Sequence, residues 1–213
     1  MAADGDFEPE SVRVTARLGD DIIDGIRSPG SKLVERDLAV ELGVSRVPVR
    51  DALRILVAEG LVTPRPRTWA VVREFTAADV ADLNEVRSAF ELLTFQLAAQ
   101  RHHRAGLDRL RDVVEVELAA ARSGDGIVAR RAAADFHERV TELAGNELLN
   151  ELGHSLRSRM RWLLAQHDDL IRVADEHERL YRAIANRDVE RVSELVRQHL
   201  ATGRALSEAR HGH

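Results

Sequence analysis

The sequence predicts a mostly α-helical chain in two parts: an N-terminal winged helix-turn-helix with a small β-hairpin, and a C-terminal antiparallel all-α bundle. Three observations carry this. Residues 33–62, LVERDLAVELGVSRVPVRDALRILVAEGLV, hold two short helical patterns on either side of a Gly-centred turn. The next stretch, LVTPRPRTWAVVREF, sets Pro64 and Pro66 between two β-prone runs, the mark of a hairpin. Beyond Glu74 proline is absent, and Leu, Ala, Arg and Glu recur at helical spacing.

The opening residues, MAADGDFEPE, are acidic and polar and are expected to form a disordered tail over residues 1–10. Leu38 and Leu42 stand four apart and give the first short helix an apolar stripe. Gly43 can take the positive φ that ends a helix tightly. Ser45 is placed to cap the next helix by accepting the N–H of Val47. Pro48 falls in the first turn, where a missing N–H costs little. Val49, Ala52, Leu53 and Leu56 then share one face, and Arg46, Arg50 and Arg54 another. One packed face and one guanidinium face suit entry into the DNA major groove, because Arg can bond phosphates or guanine edges. Three arginines at that spacing also describe a solvated face on an ordinary core helix. The turn, the cap position and the following hairpin favour the groove.

A hairpin after such a helix is a wing. Arg65 and Arg67 fall near its tip, within reach of backbone phosphate or the minor groove. From Val44 to Arg73 the basic residues are Arg46, Arg50, Arg54, Arg65, Arg67 and Arg73, against only Asp51 and Glu59. The whole chain carries a net charge of −5, so this basic patch is an asymmetry of the kind nucleic acid binding requires.

The expected organisation is a tail (1–10), a DNA-binding domain (11–75) and an all-helical domain (76–213). Helices are expected near 76–102, 104–123, 126–144, 146–167, 169–186 and 188–209, with Gly-, Asn- and Asp-rich breaks between them. A length of 213 residues with 44% hydrophobic content is enough for a core in each half. The chain has no cysteine, which excludes disulfides and thiolate metal sites. No run is long and apolar enough to span a membrane, and the N-terminus lacks the features of a signal peptide. The expected setting is the cytoplasm.

The helical half has its own constellation. His137 shares a face with Val140 and Ala144, His177 with Leu180, Tyr181 and Ile184, and His199 with Val192, Leu195 and Val196. A single His on an apolar face is more often a hydrogen-bonded core residue. Three on separate helices, if they converge, make a metal site. His102 and His103 sit at an expected helix end, while His154 and His167 are assigned to neither group.

The segment VERDLAVELGVSRVPVRDALRILVAEGLV, with GIRSPGSKL before it, resembles the winged helix-turn-helix of GntR-family bacterial transcription regulators. The resemblance covers roughly residues 11 to 75. It implies DNA contacts from Arg36, Ser45, Arg46, Val47, Pro48 and Arg50. One departure is Trp69, where the family's wing carries Gly and a close backbone approach to the minor groove. The helical half resembles the FCD effector domain of the FadR subfamily through FHERVTELAGNELL, DEHERLYRAIANRDVE and VRQHL. In metal-binding members an Asp and a His four apart on one helix join two later histidines. The resemblance thus implies His137, His177 and His199 as ligands of one divalent metal, Zn²⁺ or Ni²⁺. Ala133 stands at the aspartate position, which removes a carboxylate and should weaken the site.

The resemblance further implies a small carboxylate effector, with Arg87 as its bidentate partner. The competing reading of Arg87 is an ion pair with Glu91 at i+4. The function implied is a homodimeric, effector-responsive repressor on a double-stranded, pseudo-palindromic operator, and not an enzyme. One alternative is a DNA-binding regulator whose helical half only dimerises. A remote one is a three-His metal-dependent enzyme, which lacks a general base at position 133 and leaves the winged helix unexplained.

Overall fold

In the computed structural model of the chain the described residues are 9–65 and 70–211, with side chains described through residue 205. The chain divides into two compact units between Glu74 and Phe75.

The first unit begins with α1 (Glu10–Ile23), which the sequence reading did not assign. Its apolar residues Val14, Leu18 and Ile22 recur every four positions, and all three are buried on the side that packs against α3. Glu10, the last residue of the expected disordered tail, is thus the first residue of a helix. The rest of that tail, residues 1–8, lies outside the described residues. Strand β1 (Lys32–Leu33) leads into α2 (Glu35–Leu42), which stops at Gly43 with φ of 66°. That left-handed turn sends the chain into α3 (Arg46–Ala58). Strands β2 (Val62–Pro64) and β3 (Ala70–Val72) pair antiparallel, with Pro64 opposite Ala70. The expected hairpin gains a third strand: β1 pairs with the other edge of β3, giving the order β1-β3-β2. Leu33 is fully buried, so this short edge strand ties the helix-turn-helix to the wing.

The second unit is an all-helical bundle of α4 (Ala77–Arg101), α5 (Arg104–Ser123), α6 (Gly126–Leu143), α7 (Glu147–Leu164), α8 (Leu170–Ala185) and α9 (Val189–His211). Its helices start on side-chain caps. Thr76 and Asp79 form a capping box on α4, and His103, Asp125, Asn146 and Asp169 accept backbone N–H groups on α5 to α8. The turn before α9 contains Arg187 at φ of 56°, a non-glycine residue in the left-handed region. Its guanidinium donates to the carbonyls of Gln100 and His102, closing the exposed end of α4. Phe95, Phe136, Leu110, Leu180, Ile184 and Val196 lie at the centre of the core.

Helix α4 packs against α6, α7, α8 and α9. Its buried face opens with Val80, runs polar through Asn84, Arg87, Glu91 and Thr94, and turns apolar again at Phe95, Ala98 and Ala99. Polar residues continuing an inward stripe place a site in the interior of the bundle.

Candidate functional site

In the first unit α3 turns Val49, Ala52, Leu53 and Leu56 inward and leaves Arg46, Arg50 and Arg54 exposed. Ser45 occupies the N-cap with extended backbone, but its side chain makes no capping hydrogen bond; the expected bond to Val47 is not formed. Val47 is 63% exposed. Pro48 is buried, so its ring serves the packing of the first turn rather than an outward contact. Arg36 is exposed on α2. Arg36, Arg46, Arg50, Arg54 and Arg65 line one concavity of about 620 Å³ between the helices and the wing. Arg67 and Trp69 lie outside the described residues.

The sequence count of acids around this patch missed Glu35. It sits at the start of α2, eleven residues before Arg46, and the turn folds it against α3. Arg50 donates through Nε at 3.1 Å and Nη2 at 2.9 Å to the Glu35 carboxylate, and Arg46 donates through Nη2 at 3.3 Å. The Arg50 hydrogen bond, helped by Arg46 and opposed by partial burial, holds the Glu35 carboxyl below its ordinary range. Glu35 thus aligns two guanidinium groups at the mouth of the concavity.

In the second unit the bundle brings His137 of α6, His177 of α8 and His199 of α9 together. All three are buried, and one nitrogen from each lies within 4.8 Å of the others. Ring centroids are 4.9 Å apart for His137–His177 and His177–His199 and 5.4 Å for His137–His199. His177 is locked by stacking on Phe136 at 4.2 Å.

Carboxylates that the sequence reading did not assign to the site orient the rings. His177 Nδ1 lies 2.8 Å from Glu117 Oε2, and His199 Nδ1 lies 2.8 Å from Glu176 Oε2. Each pairing puts the proton on Nδ1 and turns the Nε2 lone pair toward the centre. The Nε2 atoms of His137 and His177 are buried and have no hydrogen-bond partner. His199 Nε2 instead accepts from Arg87 Nη2 at 3.0 Å. His137 Nδ1 comes within 3.0 Å of Glu91 Oε1 but off the line that a hydrogen bond needs, so it too counts as unsatisfied.

Arg87 is 1% exposed and donates through Nε to Glu91 Oε1 at 2.8 Å. The ion pair weighed from the sequence therefore forms, in the interior. Gly203, one turn beyond His199, leaves room for it: a Cβ there would stand 3.0 Å from Arg87 Nη1. His167, unassigned from the sequence, is buried in the turn after α7 and also borders this space. Burial, helped by Arg87 and the neighbouring imidazoles, pushes its pKa down to about 3. Burial likewise lowers His137, and it drives His199 well below the ordinary range together with His177 and Arg87. Burial pushes the Glu91 carboxyl up, but Arg87 and the imidazoles more than offset this and hold it low. His137 and His199 are therefore neutral beside the ionised Glu91 carboxylate, the state in which nitrogen binds a metal.

Ala133 is buried one turn before His137 and offers no ligand. Asp135 points elsewhere, to an ion pair with Arg161. A cavity of about 350 Å³ opens beside the centre between α4, α6 and α7, lined by Glu91 and His137 together with Phe90, Thr141, Asn150 and His154. Arg87, expected to meet the effector, does not line this cavity; its partner Glu91 does. Two of these missed groups carried a signal in the sequence. Glu117 continues the inward stripe of Leu110 and Val114, and Glu176 sits beside His177 on the buried face of α8.

A winged helix presenting arginines, followed in the chain by a helical bundle with a buried polar centre, defines a DNA-binding transcription regulator. Residues 10–72 match the bacterial regulatory proteins of the gntR family, and residues 82–202 match the FCD domain. The chain belongs to the GntR family and carries an FCD domain. It is 32% identical over 189 residues to the HTH-type transcriptional regulator LutR of Bacillus subtilis, covering 77% of this chain and 85% of that protein. It is 29% identical over 175 residues to the probable D-xylose utilization operon transcriptional repressor of Paenarthrobacter nicotinovorans, covering 81% of this chain and 77% of that protein. In fold it matches the solved structure of E. coli McbR/YncC with a TM-score of 0.84 at 22% identity, over 96% of this chain and 99% of the other. Among the described residues no helix is long and apolar enough to cross a membrane.

Proposed function

We propose that this regulator is a homodimeric repressor whose helical domain binds one divalent metal and a small carboxylate effector. The observation that carries the reading is the convergence of three buried imidazoles beside a cavity that shares His137 and Glu91. His137, His177 and His199 would hold Zn²⁺ or Ni²⁺. The fit rests on two Nε2 atoms buried without partners and on two rings whose tautomer is set by carboxylates. When bound, the metal supplies a Lewis-acidic position for a carboxylate oxygen. Arg87 acts on the effector indirectly, by holding Glu91 at the cavity wall. Its hydrogen bond to His199 Nε2 uses the nitrogen a metal needs, so metal uptake and that bond exclude one another.

On the DNA side, Arg36, Arg46, Arg50 and Arg65 contact phosphate or base edges, and Arg67, which lies outside the described residues, is assigned the same role from its place in the sequence. The unused hydroxyl of Ser45 and the exposed Val47 meet the duplex at the start of α3. Each protomer reads one half-site, and effector binding shifts the pairing of the DNA-binding domains. Relatives named as repressors favour that polarity.

The test combines two measurements. Metal content is measured on protein purified without chelator or metal-affinity chromatography. DNA affinity, on a duplex selected from random sequence, is measured with a panel of small carboxylates. About one metal per chain and an affinity change of roughly 5- to 150-fold with one carboxylate are expected. No metal uptake and no effect of any carboxylate would leave the helical domain as a dimerisation module only.

A further inference from the structure

We infer that Glu91, on α4, stands in for the aspartate that α6 lacks, supplying the anionic oxygen on the His137 side of the metal centre. The inference rests on the metal-binding reading above and adds a residue to it.

With Ala133 at the aspartate position, α6 contributes only His137 to the three-histidine group. A three-imidazole site without a carboxylate would hold a dication in a low-dielectric interior with no anionic ligand. Helix α4 offers the missing charge. Glu91 is 3% exposed, and its Oε1 both accepts from Arg87 and lies 3.0 Å from His137 Nδ1. Its Oε2 is buried and has no hydrogen-bond partner. A buried carboxylate oxygen left unpaired is costly unless something cationic uses it. The same residue borders the cavity, so that oxygen belongs to a wall a ligand can reach.

The charge balance points the same way. Three buried carboxylates, Glu91, Glu117 and Glu176, surround the three imidazoles, and among the described residues the one buried guanidinium is Arg87. Arg172, more than half exposed, offsets Glu176 only in part. The centre therefore has a deficit of positive charge that a divalent cation fills. Arg87 occupies Glu91 Oε1, which leaves Oε2 for the metal side. Glu91 is not within 4.8 Å of all three imidazoles, so the oxygen closes on the centre by rotation of its own side chain.

The experiment is a double-mutant cycle on the full chain, with Zn²⁺ affinity read by chelator competition and the Co²⁺ visible spectrum as a probe of coordination. Glu91→Gln should weaken Zn²⁺ binding by about 10- to 100-fold. Ala133→Asp in that background should restore it, and should do less in the wild-type protein. If Glu91→Gln fails to fold because Arg87 loses its partner, Glu91→Asp keeps the charge beside Arg87 and withdraws the oxygen by one methylene. It should weaken binding and alter the Co²⁺ spectrum, again with rescue by Ala133→Asp. Wild-type affinity in the Glu91 variants, with metal still bound, would overturn the Glu91 assignment and leave the three-histidine reading standing. A wild-type protein that takes up no Zn²⁺ or Co²⁺ would overturn both.

Discussion

Replacing His177 by alanine should do two separable things. The imidazole is fully buried, bonded through Nδ1 to Glu117 and stacked on Phe136. Glu117 is 1% exposed, so the substitution strands a carboxylate away from water. Breaking a buried charged hydrogen bond from one side costs about 3–5 kcal/mol. The lost stacking adds about 1 kcal/mol. Against a total of about 5–15 kcal/mol for a domain, that is a large share. The companion variant His177→Ala/Glu117→Leu removes the stranded charge. It should recover much of the stability while leaving the centre one imidazole short. Urea unfolding of chelator-treated protein, followed by far-ultraviolet circular dichroism, reads the first effect, and metal content of untreated protein reads the second. A single variant as stable as wild type would refute the buried pair as a structural element. A double variant that keeps wild-type metal content would remove His177 from the centre.

Other perturbations address the rest of the molecule. Arg50→Ala should lower specific DNA affinity on the order of ten- to a hundred-fold if the guanidinium reads a base, or reduce the salt slope by about 0.9 if it meets phosphate; unchanged affinity and slope would take Arg50 off the DNA surface. Glu35→Gln removes the carboxylate that competes with DNA for Arg46 and Arg50, so non-specific affinity at low salt should rise several-fold by fluorescence anisotropy. A fall instead would show that alignment of the two arginines outweighs competition. Lowering pH should destabilise the metal-free protein. His167, at about 3, with His137 and His199 also lowered, is neutral when folded but gains a proton when unfolded below about 6.5. Their contribution is whole above that value and is lost as pH falls toward 3, by up to about 1.4 kcal/mol per pH unit for His167 alone. A melting temperature constant between about pH 7.5 and 5 would contradict this.

Local signals made much of the fold legible. Gly43 and the buried stripe Val49, Ala52, Leu53 and Leu56 mark the helix-turn-helix, because a positive φ and a helical period are properties of short segments. Most helix breaks of the second unit fall where Gly, Asn and Asp gather, for the same reason; the break between α4 and α5 instead falls at His102 and His103, and Gly106, expected to mark it, lies inside α5. Strand β1 and helix α1 were not assigned. A two-residue strand has no period of its own, and it exists because β3 offers an edge. The hydroxyl of Ser45 shows the limit of local chemistry: the residue type fits a cap, yet the side chain makes no such bond.

The sequence by itself determined which helices carry His137, His177 and His199 and which face of α3 carries arginine. Each of these is a matter of spacing within one helix. Only the tertiary structure decided what those groups meet. Glu117 lies 60 residues from His177, and Arg87 lies 112 from His199. No local pattern links such pairs; the packing of α4, α5, α8 and α9 does. The same holds for Glu35, which neutralises part of a face that looked purely basic because the turn at Gly43 folds it across eleven residues onto Arg46. Charges are placed by local sequence, but their partners, and so their chemistry, are chosen by the three-dimensional fold.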